Sequence, residues 1–172
     1  MIYTVGHSTR TADEFLTLLR AHRVTGVGDV RTVPRSRRHP HFSHEALATY
    51  LTGQGIGYIH LPGLGGLRKP KPDSPNAGWR HEAFRGYADH MGTPEFADGL
   101  HALLAFAAGG HEAAVMCAEA KWWQCHRQLL ADALAARGIE VRHIMSVHDA
   151  PRHELTPFAR ITGSTVHYPA LL

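Results

Sequence analysis

The sequence predicts a single three-layer α/β domain built on a mostly parallel sheet of about five strands. Two observations carry this expectation. Short apolar runs alternate with helix-period patterns along most of the 172 residues, which is the signature of parallel βαβ units covered by helices on both faces. A 44% hydrophobic, 19% charged composition at this length suffices for one good core and falls short of two ordinary domains.

The elements follow in chain order. Residues 2–5 are an apolar run closed by Gly6-His7-Ser8-Thr9. A helix follows, with Thr11 as N-cap, Asp13 and Glu14 at the positive end of its dipole, and Phe15, Leu16, Leu18 and Leu19 on its apolar face. Residues 24–30 form a second strand, broken by Pro34. The next helix is capped by Ser43, runs through Leu47 and Leu51, and is stopped by Gly53 and Gly55. Residues 58–61 form a third strand closed by Pro62-Gly63. The stretch 62–80 is rich in proline and glycine and reads as one long loop, functional or mobile. Helices are expected around 83–91 and 94–104, with Pro94 at a first helical position. Residues 113–116 make the fourth strand, 125–137 a helix stopped by Gly138, and 139–145 the fifth strand. From about residue 147 no period is clear, so an irregular segment wrapping the surface is expected. Residues 1–172 are taken as one domain.

Composition narrows the function classes. No stretch approaches the 18 apolar residues of a membrane span, and the first residues lack the pattern of a signal peptide. Two cysteines are no disulfide framework, so a reducing cytoplasm is expected and both thiols are available for chemistry. The formal charge is only +3, but seven Arg or Lys against one acid fall between Arg31 and Lys71. Arg35, Arg37 and Arg38, flanked by His39 and His41, give that segment the charge asymmetry of a polyanion-binding surface.

In an open parallel sheet, ligands bind beyond the carboxyl ends of the strands. Four polar clusters stand at such ends: His7-Ser8-Thr9, Asp29-Val30-Arg31, Gly65-Gly66, and Cys117-Ala118-Glu119. The first lies between a strand and a helix, where free backbone N–H groups favour an anion, or it is simply a turn and cap. Asp29 and Arg31 share a face and form either a structural ion pair or a fixed anion donor with Asp29 orienting it or acting as base. Cys125 and His126 are expected to open a helix, where a thiol beside His or Arg has a lowered pKa. Either cysteine can then be a nucleophile, with His7 or His126 as base and Glu119 as general acid or base, or both cysteines fill space. The spacing from Cys117 to Cys125 and His126 is no finger or ribbon pattern, so no metal is expected. Trp122 and Trp123 sit in a polar loop, where one can stack on a base or sugar or lid the core.

Taken together, Val5-Gly6-His7-Ser8-Thr9-Arg10, Asp29-Val30-Arg31 with Pro34, Ser36 and Arg37, Leu61-Pro62 with Leu64-Gly65-Gly66, Phe84-Arg85-Gly86-Tyr87-Ala88, and Cys117-Ala118-Glu119 with Cys125-His126-Arg127 resemble the domain of unknown function 488 family over residues 1 to about 145. The resemblance implies no reaction, but it adds Arg85 and Tyr87 to the candidate site. A looser similarity is to rhodanese-like sulfurtransferases, with Cys117 in the place of the sulfur carrier. Here, however, Ala118 to Trp123 make an acidic, bulky loop that is poor at cradling a persulfide.

The leading expectation is an enzyme, a hydrolase or transferase, acting on an anionic substrate such as a nucleotide or nucleic-acid component. His7, Asp29, Cys117, Glu119, Cys125 and His126 are the candidate catalytic groups. Ser8, Thr9, Arg31, Arg37, Gly65 and Gly66 are candidate substrate contacts, together with Arg85, Tyr87, Trp122 and Arg127. No cofactor is expected. The alternatives are thiol or sulfur-transfer chemistry at Cys117 and Cys125, and a non-catalytic nucleic-acid-binding module.

Overall fold

Five parallel strands form one sheet in the order β3-β2-β4-β1-β5: β1 (Ile2–Gly6), β2 (Gly26–Asp29), β3 (Gly57–His60), β4 (Ala113–Cys117) and β5 (Val141–Ile144). A computed structural model describes residues 1–170 of the chain. Five helices join the strands: α1 (Ala12–Ala21), α2 (His44–Gly53), α3 (Glu82–His90), α4 (Pro94–Ala108) and α5 (Arg127–Ala135). The single α/β domain expected from the alternating pattern is therefore present.

Strand alternation explains the two cores. Val5, Val27 and Met116 pack with Phe15 and Leu19 of α1 and Leu47 and Leu51 of α2. Val115 and Cys117 belong to the other core, with Leu100 and Leu103 of α4 and Leu130 and Leu134 of α5. Both faces being covered, the central strands read as continuous apolar runs.

Local chemistry fixes the helix ends. Thr11 Oγ1 accepts from the Glu14 N–H at 3.1 Å while the Glu14 carboxylate accepts from the Thr11 N–H at 2.8 Å, a reciprocal cap. Ser43 precedes α2 as expected, but its side chain makes no capping bond. The helix expected from Cys125 begins only at Arg127. Residues Trp122–Gln124 form a 3₁₀ turn, the Cys125 N–H closes it onto the Trp122 carbonyl, and Cys125 itself is extended.

Two further expectations change. The 62–80 loop is tied down, because the Asp89 carboxylate of α3 accepts from the Lys71 N–H, Ser74 Oγ and Asn76 Nδ2. The segment after 147 is not wholly irregular. It carries a hairpin, β6 (Arg160–Thr162) and β7 (Thr165–His167), turned at Gly163 with φ +63°, a backbone state that glycine adopts without strain. Beyond it the fully buried Tyr168 donates to Asp132 Oδ2 at 2.7 Å.

Candidate functional site

The sheet register sets the site. Gly6 pairs with Cys117, and Asp29 with Met116 and His60, so the ends of four strands are level. The pairing of β1 and β4 continues past the strands, where the His7 and Ser8 N–H groups donate to the Cys117 and Ala118 carbonyls, both at 2.9 Å. This close approach requires glycine at position 6, since a Cβ there would lie 1.9 Å from the Glu119 carbonyl oxygen.

Arg31, just past β2, is held from three sides. Its Nε and Nη2 donate to the two Asp29 oxygens at 2.9 and 2.6 Å, and its Nη1 lies 3.3 Å from His7 Nε2. Asp29 is fully buried and also accepts from the Tyr58 hydroxyl at 2.6 Å. Burial opposes the charge on Arg31, but the Asp29 carboxylate overrides it and holds the guanidinium pKa above its ordinary value. Burial pushes the His7 pKa down to about 4, so its ring is neutral near pH 7. His7 Nδ1 donates to the Ser8 carbonyl at 2.8 Å, which leaves the Nε2 lone pair to accept from Arg31. The His7 ring is stacked on Phe42 with centroids 4.2 Å apart.

The second station is a sulfur cluster. Cys117 ends β4, and Cys125 and His126 precede α5. One ligand atom from each lies within 4.8 Å of the others. Cys117 lies against Cys125 and is buried, and that neighbour together with burial raises its pKa well above the ordinary thiol value. Cys125 has Cys117, His126 and Arg127 beside it, and these hold its pKa well below the ordinary value despite burial. Arg127, only 1% exposed, donates from Nε to Cys125 Sγ at 3.5 Å and from Nη2 to the Glu119 carbonyl.

Between the stations opens a cavity of about 840 Å³. Among the expected residues, His7, Ser8, Thr9, Arg31, Arg37, Gly66, Cys117, Glu119 and His126 line it. Asp29 and Cys125 are buried and do not line it, Asp29 holding Arg31 from behind. Gly65 packs against Thr32, whose Oγ1 donates to the Gly66 carbonyl at 2.8 Å. Arg35, Arg38 and His39 also line the cavity, so the arginine-rich loop forms its mouth.

Gly65 does not line the cavity, and four other expected substrate contacts stand elsewhere. Arg127 is spent on Cys125 and Glu119 and does not line the cavity. Arg85 lies on α3, 4.0 Å from Glu82. Tyr87 is buried, donates to the Leu64 carbonyl at 2.9 Å and packs its ring 4.9 Å from that of His126. Trp122 is stacked on His143, with centroids 4.0 Å apart and planes 4° from parallel, so one face of its ring is occupied by protein. Conversely, Phe42 and Tyr58 support the site unnoticed in the sequence, as each looks there like an ordinary apolar residue of a helix start or strand.

No curated protein and no solved structure matches the chain. A family model described as "Domain of unknown function DUF488" matches residues 11–134, and the chain belongs to that family.

Proposed function

We propose that the protein is an enzyme that acts on an anionic substrate, a nucleotide or nucleic-acid component, at the carboxyl edge of the sheet. One observation carries this reading: a buried, oriented arginine faces a cavity whose mouth holds Arg35, Arg37 and Arg38. Three contacts of Arg31 fix its plane and leave one N–H on each of Nη1 and Nη2 free of those bonds. Such a preorganised fork suits a phosphate or carboxylate and loses little entropy on binding. The exposed arginines supply long-range attraction. Cys117 is the cavity-facing thiol and Glu119 the exposed carboxylate able to move a proton, while His7 acts as a positioning residue for Arg31.

Calorimetric titration of the protein with inorganic phosphate, pyrophosphate, mononucleotides and short oligonucleotides tests this reading. The expected result is binding of at least one of these, weakening with salt and reduced by tenfold or more in Arg31→Ala, about the 1.4 kcal/mol of one charge-assisted hydrogen bond. Equal binding by Arg31→Ala across the series contradicts it.

A second reading, thiol or sulfur-transfer chemistry at Cys117 and Cys125, is favoured by the two sulfurs lying together beside His126 and Arg127. It expects one of the two cysteines to be alkylated faster than a free thiol near neutral pH, and slow alkylation of both in the native protein counts against it.

A further inference from the structure

We propose that Cys117, Cys125 and His126 bind one zinc ion, with an open coordination position facing the arginine-lined cavity. The proposal does not rest on the anionic-substrate reading.

The geometry suits the ion. Zinc bonds of about 2.3 Å to sulfur and about 2.0–2.1 Å to nitrogen at a tetrahedral angle put neighbouring S and N ligand atoms about 3.6 Å apart. His126 Nδ1 lies 3.6 Å from Cys125 Sγ, and all three ligand atoms lie within 4.8 Å of one another. Each ligand is set by a separate feature: Cys117 by the end of β4, Cys125 by the close of the 3₁₀ turn, His126 by the start of α5. The chain separation that looks wrong for a finger is spanned by that turn.

His126 has no other hydrogen-bonding reason to be there. Its Nδ1 meets only the sulfur, and its Nε2 is buried without a partner. A metal held at Nδ1 gives the half-buried ring a reason to face the two sulfurs, with Nε2 carrying the ring proton. The Tyr87 ring packs against it, and Gly66 leaves room, since a Cβ there would lie 2.9 Å from His126 Nδ1.

The chemistry of the set selects the metal class. Two thiolates and an imidazole favour zinc over magnesium or calcium, which prefer oxygen. On binding, the metal takes the place of the thiol protons, which pass to solvent. Two thiolates neutralise the ion, and Arg127 Nε, 3.5 Å from Cys125 Sγ, donates to the sulfur from behind. The centre then carries one net positive charge next to the cavity, and an anion in the fourth position neutralises it. Cys117 and His126 line the cavity. No fourth histidine, cysteine or acid joins the cluster among the described residues. Three protein ligands beside an accessible cavity are the pattern of a catalytic rather than a structural zinc site.

Titration of the reduced, metal-stripped full chain with cobalt(II) tests the site by its spectrum. The expected result is one equivalent bound, with near-ultraviolet thiolate-to-cobalt charge transfer and the visible bands of tetrahedral cobalt, all displaced by one equivalent of zinc. Those visible bands should shift when inorganic phosphate or thiocyanate is added, and bands that ignore both anions overturn the open position. His126→Ala and Cys117→Ser should weaken binding by tenfold or more. Absence of charge transfer in the wild-type chain at saturating cobalt overturns the proposal whether or not the variants fold, as does an unchanged spectrum in folded Cys117→Ser. Phosphate binding at Arg31 is measured separately on metal-free protein, so the two readings fail independently.

Discussion

Asp29 and Arg31, two residues apart at the end of β2, meet through two parallel hydrogen bonds, Nε to Oδ1 at 2.9 Å and Nη2 to Oδ2 at 2.6 Å. Asp29 is fully buried and Arg31 is 7% exposed. Removing one partner of such a pair leaves the other as an uncompensated buried charge. Asp29→Asn is therefore expected to cost about 3–5 kcal/mol in denaturant unfolding at neutral pH. A loss below about 1 kcal/mol, the scale of an exposed pair, contradicts the arrangement.

Gly6 and Gly53 make a matched test of backbone approach. A Cβ at Gly6 would lie 1.9 Å from the Glu119 carbonyl oxygen, which neither β1 nor the loop after β4 can yield cheaply, whereas one at Gly53 meets nothing within 4 Å. Gly6→Ala is expected to give insoluble or unfolded protein. Gly53→Ala, near the end of α2, is expected to be neutral or slightly stabilising, within about 1 kcal/mol. Comparable soluble yields and melting temperatures for the two variants contradict this.

His143 makes stability depend on pH. Its Nδ1 meets Thr4 Oγ1 at 2.7 Å, its Nε2 meets His153 Nδ1 at 2.9 Å, and His153 Nε2 donates to Asp132 at 2.8 Å. Burial first, then His153 and Arg127, push the His143 pKa down to about 3, against 6.5 ordinarily. Between these values the unfolded chain binds the proton and the folded chain does not, so this stability is present above pH 6.5 and is lost as pH falls towards 3. The expected loss from this group between pH 7 and pH 5 is about 2 kcal/mol. It is read as the difference in slope between wild type and His143→Gln, and parallel slopes contradict it.

Trp122 and Trp123 should separate cleanly. Trp122→Ala removes the ring stacked on His143 and is expected to destabilise by about 2 kcal/mol or more without changing anion affinity of the folded protein. Trp123 is 44% exposed, and Trp123→Ala should stay within about 0.5 kcal/mol. Loss of anion binding in folded Trp122→Ala contradicts its assignment as a packing residue.

The sheet was legible because its central strands are buried on both faces and two of its helices open on clear start signals, Thr11 as a cap and Pro94 at a first helical position. Much of the cavity was legible too, because polar residues at strand ends have a fixed destination: His7, Arg31, Cys117 and Glu119 all reach it. What escaped was set by long-range contacts with no period. Trp122 is claimed by His143, from β5, and Arg127 by a carbonyl and a sulfur. Phe42 and Tyr58 owe their roles to His7 and Asp29, 35 and 29 positions away along the chain. The segment beyond 147 buries only scattered residues such as His153, Thr156, Val166 and Tyr168, too few and too unevenly spaced to show a pattern.

The claim that arginines hold an anion over Cys117 is tested most directly by the alkylation of that thiol in reduced, metal-free protein. The rate ratio of iodoacetate to iodoacetamide at Cys117, read by peptide mass mapping, is compared with the same ratio for free cysteine. The account predicts a ratio above that of free cysteine, falling with added salt and in Arg31→Ala, because the cavity attracts the anionic reagent. A ratio equal to or below that of free cysteine contradicts it.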